Sequence, residues 1–161
     1  MNRAERRAKP KKPTVKRRRA SSPIEDVVLK QIIITDLNRL RTGAGLHAMM
    51  GGDAATIMNL AGRLIFITCH AIGKQYPIEQ PPEARILMGA ANALGDLSER
   101  PQDIEKHRGA IQSGLAAIDR LMPDLSEWAL AEGALKLDEM LKSPAGLSVG
   151  DINSALKKGQ K

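Results

Sequence analysis

The sequence predicts an all-α fold, a bundle of five to six helices preceded by a disordered basic N-terminal arm, on three observations. Apolar residues recur at three- and four-residue steps through most of the chain after Ser22, the period of a helix with a buried face. Breaks such as Tyr76-Pro77, Pro81-Pro82, Arg100-Pro101 and Ser143-Pro144 divide that pattern into helix-length pieces. Charge is unevenly placed: 25 Lys+Arg stand against 18 Asp+Glu for a net +7, yet residues 1–20 hold ten bases and one acid, Glu5. The rest of the chain therefore carries 15 bases and 17 acids. A length of 161 residues fits one domain, 23–161, behind an arm of 1–22.

In the arm, repulsion among Lys9, Lys11, Lys12, Lys16, Arg17, Arg18 and Arg19 opposes compaction, and almost nothing apolar offsets the entropy of ordering. Ser22 is a candidate N-cap with Pro23 at the first helical position. The first helix is expected over about 24–41, with Ile24, Val27, Val28, Gln31, Ile34 and Thr35 on its apolar side. The run Gln31 to Thr35 also has the composition of a buried strand, but the chain offers no second strand to pair with it. Thr42-Gly43-Ala44-Gly45 is expected to end this helix in a flexible linker.

Asp53, after Gly51-Gly52, is a good N-cap for a second helix over about 54–75. Ile57, Leu60, Ala61, Leu64, Ile67 and Ala71 form one stripe on it, and Met58, Ile65, Cys69 and Ile72 form another. A helix apolar on two sides is either central in its bundle or shared with a second copy, so the second stripe is a possible homodimer face. A third helix, about 83–98, carries Leu87, Ala90, Ala91 and Leu94. The fourth, about 103–122, shows the cleanest pattern, with Ile104, Ile111, Leu115, Ile118 and Met122, and His107 at the matching step. Ser126 or Asp124 caps a fifth helix reaching about Lys142, with a seam of Leu130, Ala134, Leu137 and Leu141. Ser148 to Asp151 resembles a capping box that opens a short final helix ending near Lys158.

The chemistry-bearing groups are sparse. Gly43-Ala44-Gly45-Leu46-His47-Ala48 satisfies G-x-G-x-x-A, but that fingerprint works only between a strand and a helix of a parallel sheet, and no sheet is predicted. No Gly-Lys-Ser/Thr follows either glycine cluster. His47, His70 and His107 are isolated, and the adjacent Cys69 and His70 point about 100° apart on a helix, so no metal site is expected. Cys69 reads as a small buried hydrophobe in a reducing compartment. There is no G-x-S-x-G elbow and no S-x-x-K. Glu99, Asp103, Asp119, Asp124 and Glu127, like Asp138-Glu139, read as helix-end and surface carboxylates. Neither an enzyme nor a cofactor is expected.

The N-terminus has charges but no following apolar stretch, Pro10 and Pro13 interrupt any presequence helix, and the longest aliphatic-aromatic run is Leu64 to Ile67. A soluble, cytoplasmic protein without a membrane partner is expected. The arm is the strongest functional signal. Arg3, Arg6, Arg7, Lys9, Lys11, Lys12, Lys16, Arg17, Arg18 and Arg19 are candidate phosphate contacts, since each phosphate neutralised releases condensed counterions. No helix carries a row of Arg, Asn and Gln for groove reading, and three aromatics in all leave no stacking platform, so contact with the backbone and weak sequence specificity are expected. Lys9-Pro10-Lys11-Lys12 with Lys16 to Arg19 resembles a bipartite nuclear import signal, and Arg18-Arg19-Ala20-Ser21 a basophilic kinase site; both patterns arise readily in basic arms.

Gly43-Ala44-Gly45 before a long helix, the Ala-rich segment Ile111 to Arg120, Trp128 at a helix start, Leu137-Asp138-Glu139 and the stretch Ser148 to Leu156 together resemble a loose family of short helical accessory proteins of proteobacterial phages and plasmids. The resemblance implies no catalytic residue. It implies a small protein of a mobile element that occupies a host machine. The leading expectation is thus a non-enzymatic protein that docks on a host complex, such as a nucleoprotein defence complex, with its arm near nucleic acid. The alternatives are a nucleic-acid packaging protein in which the arm supplies most of the affinity, and an enzyme without a recognisable motif.

Overall fold

The structure, a computed structural model, describes residues 23–157. They form α1 (Pro23–Met49), α2 (Ala54–Gln75), α3 (Glu83–Glu99), α4 (Ile104–Leu121), α5 (Glu127–Leu141) and α6 (Val149–Lys157), with no strand among the described residues. Pro101–Asp103 and Met122–Asp124 are single 3-10 turns at the ends of α4. The expected all-α class is the one observed, and the β-branched run Gln31 to Thr35 is helical. The candidate phosphate-contacting cations, Arg3 to Arg19, lie outside the described residues.

α2 is the axle of the bundle. It begins as expected at Asp53, whose carboxylate accepts from the Thr56 amide at 2.9 Å and the Thr56 hydroxyl at 2.7 Å. From Leu64 to Gly73 every residue is buried, and the helix packs on all five other α-helices. By length and hydropathy α2 alone would suit a bilayer, but 67% of its apolar window is buried inside the bundle. The stripe expected as a possible homodimer face is corrected accordingly. Ile65, Cys69 and Ile72 are wholly covered by the chain's own helices, and Met58 is partly buried against the same core. The central position explains both stripes.

Small residues set the helix spacings. A Cβ on Gly114 of α4 would collide with Ala90 of α3, and one on Gly73 of α2 would collide with the Ala155 carbonyl near the end of α6. A Cβ on Gly133 of α5 would stand 3.0 Å from the Ile67 carbonyl. That crossing turns Ala129, Leu130, Gly133 and Leu137 inward and leaves Leu141, a member of the expected seam, 38% exposed. Gln75 bridges the far end of α2 to the α4–α5 turn, donating to the Asp124 carbonyl at 2.7 Å and accepting from the Ser126 amide at 2.8 Å. The capping box of α6 forms with aspartate in the acidic role: Ser148 N–H donates to the Asp151 carboxylate, and Asp151 N–H to the Ser148 hydroxyl.

α1 departs most from expectation. It does not end at Thr42 but runs to Met49. Two helical glycines cost about 1 kcal/mol each relative to alanine, and tertiary contacts offset this. Ala44 and Ala48 are buried, and Gly43 lies against Leu60 of α2. The Ala48 carbonyl accepts from Gln112 at 3.0 Å and Arg108 at 3.1 Å, both from α4. Those side chains satisfy a carbonyl that the helix end leaves without an intrahelical partner. The true stop is Gly51, whose φ of +78° takes the chain into the left-handed region, with Gly52 N–H donating to the His47 carbonyl at 2.8 Å.

Candidate functional site

The buried face of α1 is Ile33, Ile34, Leu37, Leu40, Ala44 and Ala48, a three- and four-residue progression. Of the side expected to be apolar, Ile34 packs against the core, but Val27, Val28, Gln31 and Thr35 are exposed. Thr35 and Thr42 satisfy their hydroxyls on the helix itself, donating to the Gln31 and Asn38 carbonyls. Continued towards the N-terminus, the inward phase meets Lys30 and Asp26 rather than further hydrophobes. Lys30 there pairs with Glu127 of α5 at 2.6 Å. From Asp26 to Ile32 α1 therefore departs from that phase, with Asp26 and Lys30 towards the bundle and Val27, Val28 and Ile32 towards solvent.

Of the α1 side chains, Leu29 and Ile33 adjoin an apolar group on α5, while Val27 and Val28 lie on other sides of the helix. Val27 is 65% exposed, Ile32 54% and Trp128 62%, with Val28, Leu29 and Leu135 also open. Two hollows lie along the α1–α5 seam and share Leu29, Ile33 and Leu135. One, of about 300 Å³, reaches Trp128 and Ala131; the other, of about 250 Å³, reaches Leu37 and Leu40. An apolar strip of this kind, rimmed by Lys30, Asp36 and Asp138, is the form a protein-docking surface takes.

Behind the strip stands a polar cluster. Glu132 accepts from Lys74 at 2.8 Å and lies 3.6 Å from His70 Nε2. The Lys74 hydrogen bond, ahead of the charges of Lys74 and His70, holds the Glu132 carboxyl below the usual carboxylate range. The His70 ring stacks beside Phe66, with centroids 6.4 Å apart. Cys69 does not face this cluster: it is buried in the core, where burial pushes its thiol far up from its ordinary value. Among the described residues no three His, Cys, Asp or Glu side chains converge as a metal-holding group.

The fold and this surface define an all-helical bundle with an apolar face on α1 and α5, where α1 follows directly on the basic segment. Comparison with protein-family models, curated proteins and solved structures gives no match. The functional reading therefore rests on the chain's own residues. Sequence reasoning missed the strip because it set the inward phase of α1 by Val27 and Val28, which left Leu29 and Ile33 off that face. The available signal was that Val27, Val28, Leu29, Ile32 and Ile33 surround the helix, so that one bundle contact could not bury them all.

Proposed function

We propose that this chain is a non-enzymatic docking protein of mobile-element type. Its α1–α5 strip seats on a protein subunit of a host nucleoprotein complex in the cytoplasm, and its basic arm contacts the phosphate backbone beside it. The observation that carries this reading is adjacency. The exposed strip begins at Leu29, and the ten cations end at Arg19, ten residues earlier. A 20-residue segment spans at most about 70 Å fully extended, so one partner presenting both an apolar groove and nucleic acid matches both features at once. A defence complex that holds nucleic acid is such a partner, and occupying it is how an anti-defence inhibitor would act. The apolar strip favours this over a packaging protein, which needs the cations but has no use for an open hydrophobic face.

The test is affinity capture from host cells with the full chain, Ile32→Asp plus Trp128→Ala, and a variant with Lys16, Arg17, Arg18 and Arg19 changed to Ala. The expected result is one stoichiometric protein partner, lost with the strip variant and retained, with less nucleic acid, by the arm variant. Bulk nucleic acid without a stoichiometric protein, abolished by the arm variant alone, would select the packaging reading instead.

A further inference from the structure

A larger cleft than the two hollows lies on another side of the molecule. A cleft of about 730 Å³ opens between α2, α3, the end of α5 and the start of α6, within the range of small-molecule sites. Its walls follow from helix spacing. Met58 and Gly62 present one face of α2, while Ala91, Leu94 and Gly95 present one face of α3. The small residues Gly62, Ala91 and Gly95 hold the floor open, and Leu147, Val149 and Ile152 close the far side. The lined surface is thus largely apolar, bordered by the exposed Asn59 and Asn92 and the half-buried Arg63.

Arg63 sets the chemistry. It is half-buried at the cleft wall, and its Nε is shut off from solvent with no hydrogen-bond partner. No ion pair with another described residue compensates it. Asp96 and Glu99 also border the cleft, but both are exposed at its rim and remain hydrated. Ser148 and Asp151 already satisfy the start of α6. The group that gains most from a partner is therefore the partly desolvated guanidinium, whose planar fork matches an oxyanion.

We propose that this cleft binds a small amphipathic molecule with one oxyanion head, carboxylate or phosphate. The head pairs with Arg63, and the hydrocarbon part lies against Leu94, Leu147 and Ile152. The geometry of Gly62 supplies a blocking variant, because a Cβ there meets the cleft-lining Leu147 and Leu94 at ordinary distances of 3.8 and 3.9 Å, so a longer side chain competes with a ligand for the space beside them.

The experiment titrates dodecanoate, dodecyl phosphate and dodecanol into the full-length protein and follows backbone amide resonances, with circular dichroism confirming that each variant is folded. Either anion should shift the amides of Gly62, Gly95 and Val149, and the stronger of the two identifies the head group. Dodecanol should bind at least tenfold more weakly. Arg63→Gln should remove that preference, Arg63→Lys should keep most of it, and Gly62→Leu should abolish the shifts. The wild-type comparison stands whether or not the variants fold. Equal affinity for dodecanol and dodecanoate, no shift at these amides, or shifts confined to Val28, Ile32 and Trp128 would overturn the proposal.

Discussion

Inside α2 the consequence of a single residue is decided by burial. Ile65 has no exposed surface, so Ile65→Asp forfeits about 2–3 kcal/mol of apolar burial. It also places an unpaired carboxylate in the core, at a further cost of several kcal/mol. Together these rival the roughly 5–15 kcal/mol that stabilises a whole domain. Loss of the helical circular-dichroism signal is expected; a folded monomer replacing a dimer would mean that the stripe is a surface after all. Glu132 gives a milder test. Its native pKa is lowered, chiefly by Lys74, so between that native value and about 4.3 the unfolded chain binds the proton and the folded chain does not. The contribution is complete above that window and disappears as pH falls through it. At 41% exposure the carboxylate is screened and the effect is small. The stability curves of wild type and Glu132→Gln should differ slightly at pH 7 and draw together as the pH falls below about 4.3; curves that stay parallel down to the acid unfolding limit would exclude the linkage.

Among the elements, the glycines separate a helix from a linker. Gly45 lies inside α1 with open space for 4 Å around the place a Cβ would take, so Gly45→Ala should stabilise the protein by about 0.5–1 kcal/mol in urea unfolding. A linker there would show no gain. Gly114→Ala should instead cost about 1–3 kcal/mol, because the added methyl meets Ala90 where α3 and α4 cross. Gly51→Ala should also destabilise, since its φ of +78° suits few other residues. These contrasts show what was legible in the sequence. Asp53 and Ser148 announce their helices because a cap acts within four residues of its own position. α2, α3 and α4 were placed to within two residues because proline or glycine stops them locally. The end of α1 was not legible: Gln112 and Arg108 hold the Ala48 carbonyl from some 60 positions away in sequence. The departure at its start was hidden for a related reason, since periodicity gives the spacing of a face and not which face meets the bundle. The α2–α3–α6 cleft depends on three helices brought together only by the fold.

For the whole molecule, the division of labour between body and arm is the main consequence. The described core is built entirely from residues after Ser22, so a chain starting at Ser21 should melt within a few degrees of the full length. The arm should show its presence in salt dependence. If six to nine of its cations meet phosphates, log-log plots of nucleic-acid affinity against salt should slope by about −5 to −8. Changing Lys16, Arg17, Arg18 and Arg19 to Ala should flatten that slope by about 3 to 4 and weaken all sequences alike. The most direct measurement of the central claim is the association and dissociation rate of the captured partner with the full chain and with the chain starting at Ser21. Docking through α1 and α5 predicts a dissociation rate within about twofold and an association rate slower by tenfold or more, because the truncation removes steering but leaves the contact. Complete loss of partner binding by the truncated, folded body would contradict it.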